Sequence, residues 1–261
     1  MVRNNKYSKS TALFLGAGYC AQEMYAPLLD QGYKVYVTTR TKKRHSLLKK
    51  CGVIPLIFNG AINSKLYSII GDACIILSSM APVNGIDPFL NKLPVDQKKL
   101  MQSTQWVGYL SSTSVYGDKN GQWVFEDELL YPSTTRGKER LNAEIQWLEI
   151  GAPVHIFRLA GIYGPSRNNF QKIKQNKTQN IVKEGHVTNR VHVGDVANAI
   201  LTSIANPDPY RIYNVSDGNP ARPQDIINFS AHLLGISTPP LIKYEGLELP
   251  AKKKNFYQET K

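Results

Sequence analysis

Three groups of residues have the types and spacing to do chemistry. The first is Gly16-Ala17-Gly18-Tyr19-Cys20-Ala21, a G-x-G-x-x-A run directly after the apolar stretch Ala12–Leu15. In such a run the first glycine permits a tight turn and the second lets the backbone approach a pyrophosphate. A small final residue lets helix and strand pack closely. The N–H groups that open the following helix then face the phosphates. The second group is Ser112 and Tyr116 in `YLSSTSVYGD`, a hydroxyl at the end of a strand and a phenol four residues on. The third is Arg136 and Arg140 in `YPSTTRGKERLNAE`, whose spacing puts both on one face of a helix. A guanidinium stays protonated, so it cannot act as a general acid. It can polarise a carbonyl, or hold a carboxylate or phosphate in a two-pronged grip. The same residues have plainer readings: Ser112 as a strand-end hydroxyl bonded to backbone, Tyr116 as a packed aromatic, and the arginines as exposed helix charges beside Glu139 and Glu144.

These groups need elements to position them. Ala12–Leu15, Val35–Thr38, Val53–Phe58, Ala73–Leu77, Trp106–Leu110 and Val154–Leu159 read as short buried strands. Between them, Cys20–Leu29, Lys42–Lys50, Ser64–Ile70, Val95–Thr104 and Thr134–Glu149 read as helices, the first ended by Gly32. This alternation predicts an α/β fold, a Rossmann-type doubly wound parallel sheet with a small C-terminal substrate-side lobe. The expected divisions are a dinucleotide-binding core at 1–165, a polar and basic excursion at 166–188, a return to the core at 189–215, and the lobe at 216–261. The return begins with `NRVHVGDVANAIL`, in which His192 reads as structural and Asp195 as a helix cap. `RIYNVSDG` then reads as a strand and Pro223–Leu234 as a helix.

The end of the second strand bears on the choice of cofactor. An acidic residue roughly 20 positions beyond the glycines would take the ribose hydroxyls of NAD. Here stand Thr38, Thr39 and Arg40, followed by Lys42, Lys43 and Arg44. Hydroxyl and guanidinium groups suit a 2′-phosphate, so this reading favours NADP(H) over NAD(H).

Composition narrows the classes. The chain has 261 residues, enough for one large core, and its 42% hydrophobic content argues against disorder. Apolar runs such as Cys74–Leu77 are too short to span a bilayer. The basic N-terminus, with Arg3, Lys6 and Lys9, leads into a first strand and not into a signal-peptide pattern. Cys20, Cys51 and Cys74 read as free thiols of a cytoplasmic protein, one at a helix start and two at buried positions. A net charge of +12 raises the question of nucleic acid, but the basic residues lie in short scattered groups such as Thr41–His45 and Lys252–Lys254. A basic face serving a polyanionic cofactor or a small polar or anionic substrate is the simpler reading.

Taken together, `GAGYCA`, `YLSSTSVYGD`, `LNAE`, `FRLAGIYGPSR`, `NRVHVGDVANAI` and `YNVSDGNP` resemble the extended short-chain dehydrogenase/reductase superfamily of nucleotide-sugar epimerases, dehydratases and reductases. The likeness covers nearly all of the chain and is strongest to an atypical branch of bacterial NAD(P)-binding oxidoreductase-like proteins. Members typically use a serine to orient the carbonyl or alcohol, a tyrosine to pass its proton, and a lysine to hold the nicotinamide ribose. The resemblance puts Ser112 at the serine, Arg136 at the tyrosine and Arg140 at the lysine, with Tyr116 as the nearest replacement proton donor and Tyr131 and Tyr163 behind it. It implies cofactor contacts from Gly16, Gly18, Tyr19, Cys20, Thr39, Arg40, Ser79, Ser111, Arg140 and Gly161, and places Arg158 and Tyr163 near the cleft. It further implies a homodimer, and a C-terminal lobe that usually continues beyond `KKKNFYQETK`. The expected activity is hydride transfer to or from a carbonyl or alcohol of a sugar nucleotide or another small polar substrate. The alternative is a non-catalytic dinucleotide-binding or redox-sensing protein.

Overall fold

A computed structural model describes residues 10–94 and 99–260 of the chain. Its strands are β1 (Thr11–Leu15), β2 (Lys34–Thr39), β3 (Ile54–Ile57), β4 (Ile75–Ser78), β5 (Trp106–Ser112), β6 (Val154–Leu159), β7 (Gly161–Tyr163), β8 (Asn180–Val182), β9 (Arg190–His192), β10 (Ile212–Val215) and β11 (Leu241–Lys243). Seven of them form one parallel sheet in the order β10-β6-β5-β4-β1-β2-β3. Successive side chains of a strand point to opposite faces, and here both faces are apolar. Ala12 and Phe14 join one core with Val35, Val37 and Leu77. Leu13 and Leu15 join the other with Ile76, Val107 and Tyr109.

The helices are α1 (Tyr19–Gln22), α2 (Tyr25–Asp30), α3 (His45–Lys50), α4 (Ser64–Asp72), α5 (Thr135–Leu148), α6 (Asn169–Lys174), α7 (Val193–Ala205), α8 (Pro223–Leu233) and α9 (Ala251–Gln258). Residues of α1, α2 and α7 cover the first core, and residues of α4 and α5 cover the second. The sheet is therefore doubly wound, as the sequence pattern predicts. Among the described residues no helix is long and apolar enough to cross a membrane.

Several elements differ from their expected form. The helix expected over Cys20–Leu29 is two short helices with a tight turn at Glu23 and Met24. Pro27 has no N–H to return to the Glu23 carbonyl and its ring crowds that oxygen, so a continuous helix is closed off. Lys42–Arg44 is a 3₁₀ turn ahead of α3. Of the helix expected over Val95–Thr104, residues 95–98 lie outside the described residues, and Lys99–Ser103 is 3₁₀. Cys51, expected to be buried, is exposed because it follows the last turn of α3 at the surface. Helix α7 is capped by His192 and not by Asp195: the Gly194 N–H donates to His192 Nδ1 at 3.2 Å, while Asp195 lies in the first turn.

The excursion and the C-terminal segment build one lobe together. Strand β8 pairs with β11, and α6 and β8 pack on α8. Past α9 the chain returns to the core. Glu259 Oε1 accepts hydrogen bonds from the Ser133 N–H (3.1 Å), the Ser133 hydroxyl (2.7 Å) and the Thr134 N–H (3.3 Å). These groups stand at the start of α5, where Thr134 Oγ1 accepts from the Gly137 N–H (3.1 Å), and a carboxylate there also complements the helix dipole.

Helix α5 is held to the sheet by a buried ion pair. Arg158 Nη2 of β6 lies 3.0 Å from Glu144 Oε2, with the two side chains 3% and 2% exposed. Arg158→Met alone is expected to cost about 3–5 kcal/mol in urea unfolding, because it strands the Glu144 charge, whereas the double change Glu144→Leu/Arg158→Met recovers most of that loss. A single-variant loss below about 1 kcal/mol would remove the pair from this role. Glu259→Ala is expected to cost about 1–2 kcal/mol and to speed hydrogen exchange at the Ser133 and Thr134 amides; unchanged exchange would detach the C-terminal segment from α5.

Candidate functional site

The strand order reverses between β1 and β4, and in open α/β sheets a ligand crevice opens beyond the carboxyl ends of the strands at such a point. Both sides of this crevice are built from the sequence locally. Gly16 leaves β1 at φ +99°, a conformation that L side chains rarely adopt, and its N–H donates to Thr38 Oγ1 at 2.8 Å. Ser79, just after β4, donates its hydroxyl to the Leu15 and Gly16 carbonyls at 3.3 and 3.2 Å. A Cβ on Gly16 would stand 2.9 Å from Ser79 Oγ, and one on Gly18 3.2 Å from it. Helix α1 then starts at Tyr19 without a side-chain cap, so the N–H groups of its first turn remain for a ligand. Burial pushes the Cys20 thiol up to about 11, so this helix start carries no thiolate charge against an approaching phosphate. A glycine turn that a Cβ would fill, opening an uncapped helix, fits a dinucleotide pyrophosphate.

The crevice continues into a cleft of about 1600 Å³. Gly18, Tyr19, Cys20, Ser79 and Gly161 border it near the glycine turn, and Ser111, Ser112, Arg136 and Arg140 border it beyond β5 and along α5. Ser112 Oγ accepts from the Ser114 N–H at 3.2 Å, which leaves the hydroxyl proton free to donate. The Ser111 hydroxyl is bonded to Glu144 Oε1. Arg140 is only 8% exposed; its Nη1 donates to the Tyr109 hydroxyl and the Leu110 carbonyl, both at 2.9 Å. Its Nε is buried without a partner, and its Nη2 makes no hydrogen bond among the described residues. Arg136 reaches solvent in the cleft wall. Partial burial, then the charges of Arg140 and Arg167, hold its pKa below the usual guanidinium range.

Tyr116 does not join this group. It is fully buried, donates to Asn214 Oδ1 at 2.7 Å, and accepts from Arg158 Nη1 at 2.9 Å. Desolvation raises its pKa further, so its expected role as replacement proton donor is corrected to that of a packed, hydrogen-bonded core residue. Arg158, expected near the cleft, is likewise inside this network. Tyr131 is exposed and lies off the cleft wall, whereas Tyr163 borders it.

One cleft residue was not singled out from the sequence. Arg167 comes from the loop after β7 and lies over the Tyr19 ring at 5.7 Å, while the Tyr19 hydroxyl donates to the Pro165 carbonyl at 2.8 Å. Its signal was present in `YGPSR`, but the contact with Tyr19 spans almost 150 residues and has no local mark.

No family profile matches the chain. Protein YeeZ of Escherichia coli K12 is 37% identical over 136 residues, 50% of this chain and 47% of that protein, so the match spans about half the length of the curated relative. A functionally unknown conserved protein from Silicibacter pomeroyi DSS superposes with a TM-score of 0.90 at 38% identity, over 96% of this chain and 88% of that one. The UDP-glucuronic acid 4-epimerase from Bacillus cereus, solved with UDP-glucuronic acid and NAD, superposes with a TM-score of 0.72 at 19% identity, over 89% and 86% of the two chains. Enzymes of this fold, the UDP-glucuronic acid 4-epimerase among them, are solved with NAD, which overturns the expectation of NADP(H) with NAD(H) disfavoured. The geometry agrees with this correction. Thr39 and Arg40 do not border the cleft, the Thr39 hydroxyl donates to the Thr41 carbonyl at 2.9 Å, and Arg40 is exposed. Identity of 38% over nearly the whole of both chains shows that this protein belongs to the family of the Silicibacter pomeroyi protein, and its doubly wound parallel sheet is of the Rossmann type.

Proposed function

We propose that the chain is an NAD(H)-dependent oxidoreductase-like enzyme of the epimerase/dehydratase kind, acting on a carbonyl or alcohol of a sugar nucleotide or another small polar substrate. The observation that carries this reading is one continuous cleft that joins the glycine turn after β1 to Ser112 and the arginine face of α5. The likeness to an epimerase solved with a sugar nucleotide and NAD supports it. Bound NAD(H) supplies a hydride acceptor or donor at its nicotinamide ring.

In this reading Gly16, Gly18 and Ser79 shape the pyrophosphate cradle, and Tyr19 and Cys20 open the helix beneath it. Gly161 keeps its part of the wall free of side-chain bulk. Arg140 turns its unpartnered Nη2 to the cofactor ribose, and Ser111 acts indirectly by holding Glu144. Ser112 donates its free hydroxyl proton to the substrate oxygen. Arg136 faces the reacting end of the substrate. With Tyr116 sealed in the core, Tyr163 is a phenol on the cleft wall whose hydroxyl makes no hydrogen bond among the described residues. A cytoplasmic setting and a homodimer belong to the same proposal. The burial of Tyr116, with arginines at 136 and 140, favours a second reading as a non-catalytic dinucleotide-binding or redox-sensing protein.

Calorimetric titration with NADH and NAD⁺ tests the cofactor. Binding is expected, and Gly18→Val is expected to weaken it by at least about tenfold, since the added side chain meets Ser79 and fills the cradle. If neither form of the cofactor binds, both readings fall. A screen of carbonyl substrates followed by NADH oxidation then separates enzyme from sensor. Turnover that drops at least about tenfold in Ser112→Ala supports the enzyme, and an unaffected rate removes Ser112 from the reaction.

A further inference from the structure

We infer that Arg136 and Arg167, with Arg140 one helical turn along α5, form a subsite for an oxyanion of the substrate, a carboxylate or a phosphate. The inference rests on the cleft being the substrate side of a dinucleotide site. Four guanidinium groups border this one cleft; Arg190 is paired with Asp217, and among the described residues Arg136, Arg140 and Arg167 form no ion pair.

The acids that border the cleft, and the buried Glu144, are already committed. Glu144 is bound to Arg158 and Ser111, Glu259 to Ser133 and Thr134, Asp217 to Arg190, and Asp225 to Arg222. Arg140 is more than nine-tenths buried, and beside the Nη2 turned to the cofactor ribose its Nε has no acceptor among the described residues. Cations brought together and partly desolvated without a counter-charge are unfavourable, and an anion entering the cleft removes that cost. Arg136 feels both neighbours: after partial burial, the charges of Arg140 and Arg167 oppose its protonated state. A guanidinium is planar and offers paired donors, the geometry that a carboxylate or phosphate accepts two at a time.

The cofactor pyrophosphate is a separate demand, met at Gly18 and the start of α1. Arg136 stands instead on the α5 wall, which the cleft shares with Ser112, the hydroxyl that retains a free proton. The substrate is thus assigned an acidic group close to the carbon that reacts, and a neutral carbonyl compound leaves the arginines unsatisfied.

The test is titration of the NADH-saturated protein with oxalate, with inorganic phosphate, and with neutral oxamide, followed by the fluorescence of bound NADH and by calorimetry. Oxalate or phosphate is expected to bind and oxamide not to, and the anion that binds more tightly tells carboxylate from phosphate. Arg136→Gln is expected to weaken anion binding at least tenfold with NADH affinity held within twofold. Lys138→Gln, an exposed charge on the same helix away from the cleft, is expected to leave anion binding unchanged. Equal anion binding by Arg136→Gln, or none by the unaltered protein, overturns the inference. So does competition between the anion and NADH, which assigns the arginines to the cofactor's own phosphates. If NADH itself fails to bind, the proposed function falls, and the same anion titrations on the protein alone still decide the subsite.

Discussion

The structure depends first on the ion pair between Glu144 and Arg158. Both charges are out of water, a state tolerated only when every donor and acceptor is engaged. Arg158 Nε approaches both Glu144 oxygens at 3.3 Å, its Nη2 approaches one at 3.0 Å, and its Nη1 donates to the Tyr116 hydroxyl and to the Glu126 carbonyl at 3.0 Å. Ser111 completes the carboxylate. The pair thereby ties α5 to β5, to β6 and to the loop that precedes α5. Ser112 rides on β5, and Arg136 and Arg140 ride on α5, so their relative placement follows from a network that none of them enters. Its value is positional, since a well-packed apolar replacement of the pair would cost little stability.

A second constraint joins the distant ends of the cleft. The glycine turn is rigid because Thr38 and Ser79 from the neighbouring strands bond to its backbone. From there Tyr19 reaches the loop after β7 through Pro165 and Arg167. On the opposite side Glu259 fastens the C-terminal segment to the start of α5. The lobe is therefore anchored near both the glycine turn and the arginine face.

Two readings made from position alone failed because position does not specify environment. The absence of a carboxylate after β2 suggested NADP(H), yet Thr39 is already satisfied locally and Arg40 projects to solvent. Tyr116 stands four residues after Ser112, but a 3₁₀ turn carries it away from the cleft and into the Arg158 network. In each case a side chain of suitable chemistry had already found partners within the protein.

The sequence by itself determined the layered α/β fold, the strands of the main sheet, the glycine turn and the pairing of Arg136 with Arg140 on one helix face. Those features are written in local periodicity, in the steric freedom of glycine and in spacing along a helix. Only the tertiary structure decided which polar groups face the cleft. `LNAE` and `FRLAG` were both legible as motifs, but the ion pair between them forms because α5 packs across β6. The same is true of Arg167 beside Tyr19, and of Glu259 at the start of α5. Whether a charge is buried, paired or left free is set by neighbours far apart in the chain, and no local pattern encodes that.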